Sequence, residues 1–179
     1  MRITETPLAG AFVIELERLA DERGYFARTF DAEQFAAAGL DTTVVQSSTS
    51  FNARAGTLRG MHYQADPHGE VKLVRATRGT VFDVIVDLRA DSSSFRRWYG
   101  VELDAASGRS LYIPVGFAHG FQTLADESEV LYQINHRYVP ESARGLRFDD
   151  PAFGIEWPAA PAGVRVISER DRTFADFAP

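Results

Sequence analysis

The feature that most constrains the fold is a series of short segments in which apolar and polar residues alternate. Such segments follow one another through the middle of the chain, and turn-forming clusters of Gly, Pro, Asn, Asp and Ser separate them. Alternation with period two is typical of strands, and no helical pattern lies between the segments. The pattern predicts an all-β sandwich, jelly roll or small barrel rather than a parallel α/β fold. The predicted strands are Thr43–Thr49, Leu58–Gln64, Val71–Ala76, Thr80–Leu88, Trp98–Leu103, Ser110–Ile113, Phe117–Leu124 and Val130–Ile134.

The two ends of the chain have weaker patterns. Residues Ile3–Leu16 predict one or two further strands. Asp31, with Gln34 three residues later, predicts the N-terminus of a short helix that ends near Gly39. From Pro140 onward the chain is rich in Pro, Gly and aromatic residues, which predicts an irregular tail around the strands. Because there is no repeat, low-complexity tract or linker, residues 1–179 are expected to form a single domain.

Charge and composition exclude several classes of function. A net charge of -6 and a pI of about 5.2 do not suit nucleic-acid binding. There is no cysteine, so disulfides, thiolate metal sites and a cysteine nucleophile are excluded. No apolar run approaches the roughly 18 residues of a membrane span, so neither a membrane partner nor a signal segment is expected. A cytoplasmic location is therefore predicted.

The densest cluster of polar side chains runs from Gly56 to Lys72. His62 in this stretch is either a surface histidine or a functional group, and strict alternation places it on the face of Leu58, Gly60 and Gln64. Lys72 is more informative, because lysine is rarely buried without a partner or a function.

Further candidates lie on later strands and near turns. His119 shares a face with two phenylalanines and is either a core histidine or a ligand contact, and Tyr132 reads first as a core tyrosine. Many arginines lie near turns, where most are solvated, although two that converge would hold a diphosphate. The strand reads His62-Tyr63-Gln64 and lacks the H-x-H pair of metal-binding cupins, so no metal is expected.

Six motifs, in order, carry a resemblance to a known family. They are D-E-R-G-Y-F at 21–26, G-T-L-R-G-M-H-Y-Q at 56–64, E-V-K-L-V-R at 70–75, F-D-V-I-V-D-L-R at 82–89, I-P-V-G-F-A-H-G-F at 113–121 and D-D-P-A-F-G-I-E-W-P at 149–158. Together they resemble the dTDP-4-dehydrorhamnose 3,5-epimerase family over nearly the whole chain. The resemblance implies a metal-free, cupin-type antiparallel jelly roll, also called a double-stranded β-helix, with a few short peripheral helices.

The resemblance also implies roles for particular residues. His62 matches the family's catalytic base, Asp171 the carboxylate that pairs with it, Lys72 the cation near the sugar keto oxygen and Tyr132 the proton donor. The positions that match substrate contacts are Arg23, Arg28, Gln46, Arg59, His119, Tyr138 and Arg170, with Tyr138 stacking on the base. The implied substrate is a nucleotide-diphosphate 4-keto-6-deoxy sugar, most directly dTDP-4-dehydro-6-deoxy-D-glucose. Inversion at carbons 3 and 5 needs no cofactor, because the ketone itself acidifies both neighbouring C–H bonds. The resemblance also implies a homodimer in which N-terminal strands contribute to the partner's sheet.

Several features leave alternatives open. Arg28 stands where many members have glutamate, and residues 46–48 and 133–137 differ from the common pattern, so the nucleotide and the sugar are open. The alternatives are an epimerase that inverts one carbon, one that uses another nucleotide, a non-catalytic sugar-nucleotide-binding cupin, and a metal-dependent cupin. Strict alternation also puts Arg59 and His62 on opposite faces, and a bulge or bend at Gly60 is one way to bring them together.

Overall fold

The structure is a computed structural model that describes residues 1–178, without the side chain of residue 162. Within that range the chain forms fourteen strands and two short α-helices. The helices are α1 (Ala32–Ala37) and α2 (Glu169–Arg172). The strands are β1 (Arg2–Glu5), β2 (Phe12–Glu15), β3 (Arg18–Asp21), β4 (Gly24–Ala27), β5 (Gln46–Asn52), β6 (Thr57–Gln64), β7 (Lys72–Arg78), β8 (Thr80–Asp87), β9 (Trp98–Asp104), β10 (Ser110–Ile113), β11 (Phe117–Thr123), β12 (Ser128–Ile134), β13 (Ala143–Gly145) and β14 (Val166–Ile167).

Two sheets face each other and enclose one core. Sheet one has the strand order β1-β2-β10-β7-β12-β5, and sheet two has the order β13-β6-β11-β8-β9 with β14 beside β6. Every pair is antiparallel except β14 with β6. Between the sheets, Val74 and Val130 of sheet one pack with Ile85, Phe117 and Phe121 of sheet two. The predicted all-β jelly roll is confirmed.

The outer face of sheet two is covered by the C-terminal part of the chain. Val84 and Val86 of β8 point away from the first core and pack with Leu146 and Phe153 in a second apolar cluster. Strand β8 is therefore buried on both faces, which explains its nearly continuous apolar sequence.

The tail after Pro140 is more regular than its composition predicts. Strand β13 pairs with β6 through Ala143 and Gln64, and β14 pairs with the other end of β6 through Val166 and Thr57. The prediction of an irregular tail was wrong for these two strands and for α2. Their two to four residues are too short to show periodicity, and tertiary pairing stabilises them instead.

The N-terminal predictions are largely confirmed. Residues 3–16 form two strands, and the side chain of Asp31 accepts hydrogen bonds from the N–H groups of Glu33 and Gln34 at the start of α1. Gly39 follows the helix with φ +74°. Neither helix in the described part of the chain is long and apolar enough to cross a membrane. The hairpin of β3 and β4 was not predicted, and its strands pair only with each other.

A bulge in β6 determines which side chains enter the interior. His62 pairs with His119 of β11, but Arg59 pairs with Phe121, so β6 carries one extra residue between the two pairs. Gly60 lies in the bulge with φ +122°, and a Cβ there would come 2.5 Å from the Cα of Gly120. Only glycine fits this close approach, and the extra residue turns Arg59 and His62 toward the same interior.

The same bulge overturns one prediction. Strict alternation placed His62 on the face of Leu58, but Leu58 pairs with Gln122, the neighbour of Phe121 on β11, and lies on the opposite face. The bulge expected at Gly60 is confirmed.

A buried carboxylate at the end of β8 fixes the following loop. Asp87 accepts hydrogen bonds from the side chains of Arg89, Ser92 and Ser94 at 2.6–2.9 Å. Burial alone would raise the pKa of Asp87, but these bonds outweigh it and lower the pKa to about 2. The ionised side chain thus stabilises the fold through its partners.

Asp87→Asn is expected to lower the free energy of unfolding at pH 7 by about 2 kcal/mol. A carboxyl with a depressed folded pKa stabilises the protein above its unfolded pKa, near 3.8, and that contribution is lost as the pH falls through about 2. Urea unfolding of both proteins between pH 7 and pH 2.5 should show the difference shrinking below pH 4. An equal difference at every pH would contradict this account.

Candidate active site

His62 and Asp171 form a hydrogen-bonded pair at the edge of the interior. The His62 Nε2 atom lies 2.8 Å from Asp171 Oδ1, and Asp171 Oδ2 accepts the N–H of Gly60 at 3.2 Å. An ionised carboxylate only accepts, so the proton of the neutral imidazole is on Nε2 and the lone pair is on Nδ1. This arrangement leaves Nδ1 free to accept a proton.

The helix α2 places Asp171 beside His62. The hydroxyl of Ser168 accepts the N–H of Asp171 at 3.1 Å and caps this single helical turn. Burial pulls the pKa of Asp171 upward, but the bond to His62, the charge of a protonated His62 and the Gly60 and Ser168 contacts together hold it below its ordinary value. Asp171 is therefore ionised at neutral pH and accepts the Nε2–H of His62.

Lys72 opens β7 and points into the interior from sheet one. Its Nζ atom lies 2.9 Å from Glu70 Oε1 and 3.4 Å from the backbone oxygen of His62. The side chain is almost fully buried. A buried ammonium beside His62 can stabilise negative charge that develops on a bound oxygen atom.

Tyr132 projects from β12 of sheet one toward His119 of sheet two. Their rings meet edge to face with centroids 5.8 Å apart, and both carboxylate oxygens of Asp83 lie within 3.0 Å of His119 Nε2. Burial raises the pKa of the Tyr132 phenol well above its ordinary value, the Asp83 carboxylate raises it further, and Arg59 opposes both. The phenol is therefore protonated at neutral pH and can donate its proton.

The two candidates for proton transfer come from facing sheets. His62 is on β6 of sheet two, whereas Tyr132 and Lys72 are on β12 and β7 of sheet one. His62 pairs with His119, whose ring contacts Tyr132, so all of these side chains meet in one region. The candidate base and the candidate acid therefore lie on opposite sheets, and His119 connects their two strands.

Four of the predicted substrate contacts surround this region. His119 is buried, and the Nε atom of Arg59 donates to Asn52 Oδ1 at 2.7 Å, which fixes the guanidinium near Tyr132. Arg170 and the exposed ring of Tyr138 line one cavity of about 140 Å³ with His62.

The fifth contact, Gln46, is tied to the same cavity. Its Oε1 atom accepts the backbone N–H of Tyr138 at 2.8 Å. Gln46 begins strand β5, so this bond connects the edge of sheet one to the cavity wall.

Arg23 and Arg28 lie elsewhere in the chain. Arg23 is in the turn between β3 and β4 and pairs with Asp21, whereas Arg28 pairs with Asp31 at 3.3 Å. Neither lines the cavity that contains His62. Within one copy of residues 1–178 these two arginines are not brought to the other candidates.

The structure adds two residues that sequence reasoning did not select. Asp83 orients His119, and Glu70 binds Lys72. Asp83 interrupts the apolar run of β8, which is a signal for a functional carboxylate. Lys72 carries a further signal, because it is the only lysine among the 19 basic residues of the chain.

Metal ligands are not grouped in the described structure. Within residues 1–178, no three His, Asp or Glu side chains are arranged to hold a metal ion. The histidines that carry the site are paired with carboxylates instead.

Comparison with known proteins assigns this arrangement to a family. A family model described as dTDP-4-dehydrorhamnose 3,5-epimerase matches residues 5–178. The dTDP-4-dehydrorhamnose 3,5-epimerase of Methanothermobacter thermautotrophicus is 45% identical over 174 residues, which are 97% of this chain and 92% of that protein. The dTDP-4-dehydrorhamnose 3-epimerase of Streptomyces niveus is 36% identical over 173 residues, which are 96% of this chain and 82% of that protein.

A solved structure supports the same assignment. The crystal structure of dTDP-4-dehydrorhamnose 3,5-epimerase from Bacillus anthracis, with TDP and PPi bound, superposes with a TM-score of 0.93. The two sequences are 34% identical, and the match covers 98% of this chain and 99% of that one. The chain belongs to the dTDP-4-dehydrorhamnose 3,5-epimerase family.

Proposed function

We propose that the protein is an epimerase that inverts carbons 3 and 5 of dTDP-4-dehydro-6-deoxy-D-glucose. The single observation that carries the mechanism is the position of His62 and Tyr132 on facing sheets. Inversion of a carbon next to a ketone needs a C–H proton to leave one face and a proton to arrive on the other. One such site serves both carbons, because carbons 3 and 5 both flank the 4-keto group.

Each side chain has one role in this scheme. His62 removes the C–H proton, and Asp171 keeps the imidazole in the correct tautomer and stabilises the imidazolium. Lys72 stabilises the enolate oxygen that forms from the ketone. Tyr132 then returns a proton to the opposite face. The substrate loses one proton and gains another, and its ketone supplies the acidity. The imidazolium of His62 then releases its proton to water and the Tyr132 phenolate takes one up, which restores both groups.

The remaining contacts suit the nucleotide and diphosphate. Arg59 and Arg170 offer guanidinium groups, which bind phosphate oxygens in a bidentate manner. Tyr138 presents an exposed aromatic ring for a base, and Gln46 fixes its backbone. His119 is held against Tyr132 and contacts the sugar in this scheme.

We propose a homodimer as the active assembly. The β3–β4 hairpin exposes Leu19 and Phe26, at 66% and 67%, on a two-stranded sheet that pairs only with itself. A hairpin of this kind is stable when its apolar face packs on something else. A second copy would cover it and bring Arg23 and Arg28 to a partner's cavity. The 1–179 chain acts as one domain in this assembly, and its cytoplasmic location stays a prediction.

Light scattering is expected to give about twice the 19.8 kDa mass of the chain. Phe26→Glu would place a charge in the proposed interface, so we expect a monomer with weakened substrate binding. A monomeric wild-type protein with full activity would contradict the dimer proposal without affecting the chemistry of His62 and Tyr132.

A single-carbon epimerase is the second candidate, because a relative at 36% identity is named a 3-epimerase. The experiment is to incubate the protein in deuterium oxide with the 4-keto-6-deoxy sugar on dTDP, GDP and CDP, and to follow exchange by NMR. Exchange at both carbons of the dTDP sugar is expected, exchange at one carbon would support the second candidate, and exchange at neither would indicate a binding protein without catalysis.

A further inference from the structure

Glu70 forms the closest contact to Lys72, and the proposed mechanism does not use it. The two side chains are joined at 2.9 Å and are only 12% and 9% exposed. Glu70 also lines the cavity that contains His62, Tyr138 and Arg170. It thus lies in the wall of the site rather than on a solvated surface, where an ion pair would contribute little.

The backbone around Glu70 is fixed on the side of sheet one. Val71 donates its N–H to Asn135 Oδ1 at 2.7 Å and accepts the N–H of Asn135 at 3.2 Å. Asn135 directly follows β12, the strand that carries Tyr132. The backbone next to Glu70 is therefore tied to the strand that carries Tyr132, and the Glu70 carboxylate itself is held by Lys72.

The number of hydrogen bonds on Lys72 indicates what this pair does. An ammonium group has three N–H donors and no acceptor. Glu70 accepts one and the backbone oxygen of His62 accepts a second, at 2.9 Å and 3.4 Å. When two N–H bonds of a tetrahedral ammonium group are fixed in direction, the direction of the third N–H bond is fixed as well.

We propose that Glu70 is a positioning residue that aims the free N–H of Lys72 at the oxygen of a bound carbonyl group. The carboxylate also gives Lys72 a hydrogen-bonded partner in a largely dehydrated site, where an unpaired ammonium is unfavourable. The use of the chain's only lysine fits this role. A compact group with three rotatable donors can be directed by two acceptors, whereas a guanidinium has a rigid, planar donor set.

This inference rests on the proposed function, and one of its two tests needs no substrate. Because Lys72 is the only lysine, protein labelled with ¹⁵N-lysine gives one side-chain NH3⁺ signal, which needs no assignment. In the free wild-type protein we expect this signal to be observable, because both acceptors protect it from exchange with water. In Glu70→Ala we expect it to be lost through fast exchange. In Glu70→Gln, whose amide oxygen still accepts, it should persist.

The kinetic test uses the same variants. Misplacing a catalytic group by about 1 Å lowers rates by up to about 100-fold, so Glu70→Ala is expected to lower kcat about 10- to 100-fold with KM changed less than about 3-fold. Glu70→Gln should restore most of the loss. Glu127→Gln is the matched control: it removes the same charge from the exposed pair with Arg78 and should leave both parameters unchanged.

The outcomes separate the two hypotheses. If the wild-type protein does not epimerise any of the sugars, the proposed function fails, and the NMR signal still decides whether Glu70 holds Lys72. If the wild-type protein is active but Glu70→Ala leaves kcat and the NH3⁺ signal unchanged, the role of Glu70 is overturned and the proposed function stands. A loss of thermal stability in Glu70→Ala with unchanged kcat would make the pair a purely structural contact, which also overturns the inference.

Discussion

Replacement of His62 by alanine is expected to lower kcat about 10²- to 10⁴-fold, the range that general acid–base catalysis contributes. The reason is that His62 has a lone pair on Nδ1, a carboxylate bound to its Nε2, and a position in the wall of the cavity, which the buried His119 does not line. Solvent deuterium should then fail to enter the sugar at either carbon. Proton NMR in deuterium oxide measures both effects in one experiment.

The control for this variant is His68→Ala. His68 packs against His136 with the two rings tilted, and neither residue lines the cavity, so its loss removes the same chemical group without touching Asp171. It should retain wild-type kcat. The His62 side chain is 43% exposed, but its truncation removes a partner of the buried Asp171 carboxylate, so we expect a lowered melting temperature and compare kcat well below it. An active His62→Ala protein with wild-type exchange would remove His62 from the mechanism.

Tyr132→Phe is expected to separate proton removal from inversion. Without the phenol, formation of the inverted sugar should fall about 10²- to 10⁴-fold. His62 can still remove a proton, exchange it with solvent and return deuterium to the same face. Deuterium incorporation with retention of configuration should therefore fall much less than inversion does.

Tyr99→Phe is the matched control for this variant. Tyr99 is a partly buried tyrosine on β9, which forms the edge of sheet two opposite β13. Its hydroxyl should therefore not affect the reaction. If Tyr132→Phe lowers exchange and inversion equally, the phenol acts before the enolate forms. In that case Tyr132 is not the acid of the second step.

The arrangement of sheets could be predicted from sequence because it depends on local patterns. Alternation identified the strands of the core, and the cap at Asp31 identified helix α1. Strand bounds differ from the predicted ones by a few residues where pairing determines them. The strand predicted at Thr43–Thr49 is observed at Gln46–Asn52, because β12 pairs with β5 from Gln46 onward. Such register depends on the partner strand rather than on the segment itself.

The positions of individual site residues depended on features that periodicity does not contain. The bulge at Gly60 moved Leu58 to the opposite face from His62, and no pattern of apolar residues indicates where an extra residue falls. The family motifs had placed Arg59 and His62 together, and the bulge supplies the physical reason. Asp171 was matched only by resemblance, because the turn that carries it is too short to show periodicity and its one local signal is the cap at Ser168.

Glu70 shows a different limit of sequence reasoning. It is two residues from Lys72, so strand alternation places both side chains on the same face. A charged pair at this spacing is, however, equally typical of a solvent-exposed strand at the edge of a sheet. Burial distinguished the two readings, since both side chains are nearly enclosed. The absence of every other lysine from the sequence was the one signal that composition did contain.

The most direct test of the central claim is a crystal structure of the protein with a dTDP-linked 6-deoxy sugar bound between the sheets. The account predicts that His62 Nδ1 and the Tyr132 hydroxyl approach the same sugar carbon from opposite faces of the ring, with Lys72 Nζ at the oxygen on carbon 4. A complex in which both groups lie on one face of the ring, or in which the sugar binds away from Tyr132, would contradict it.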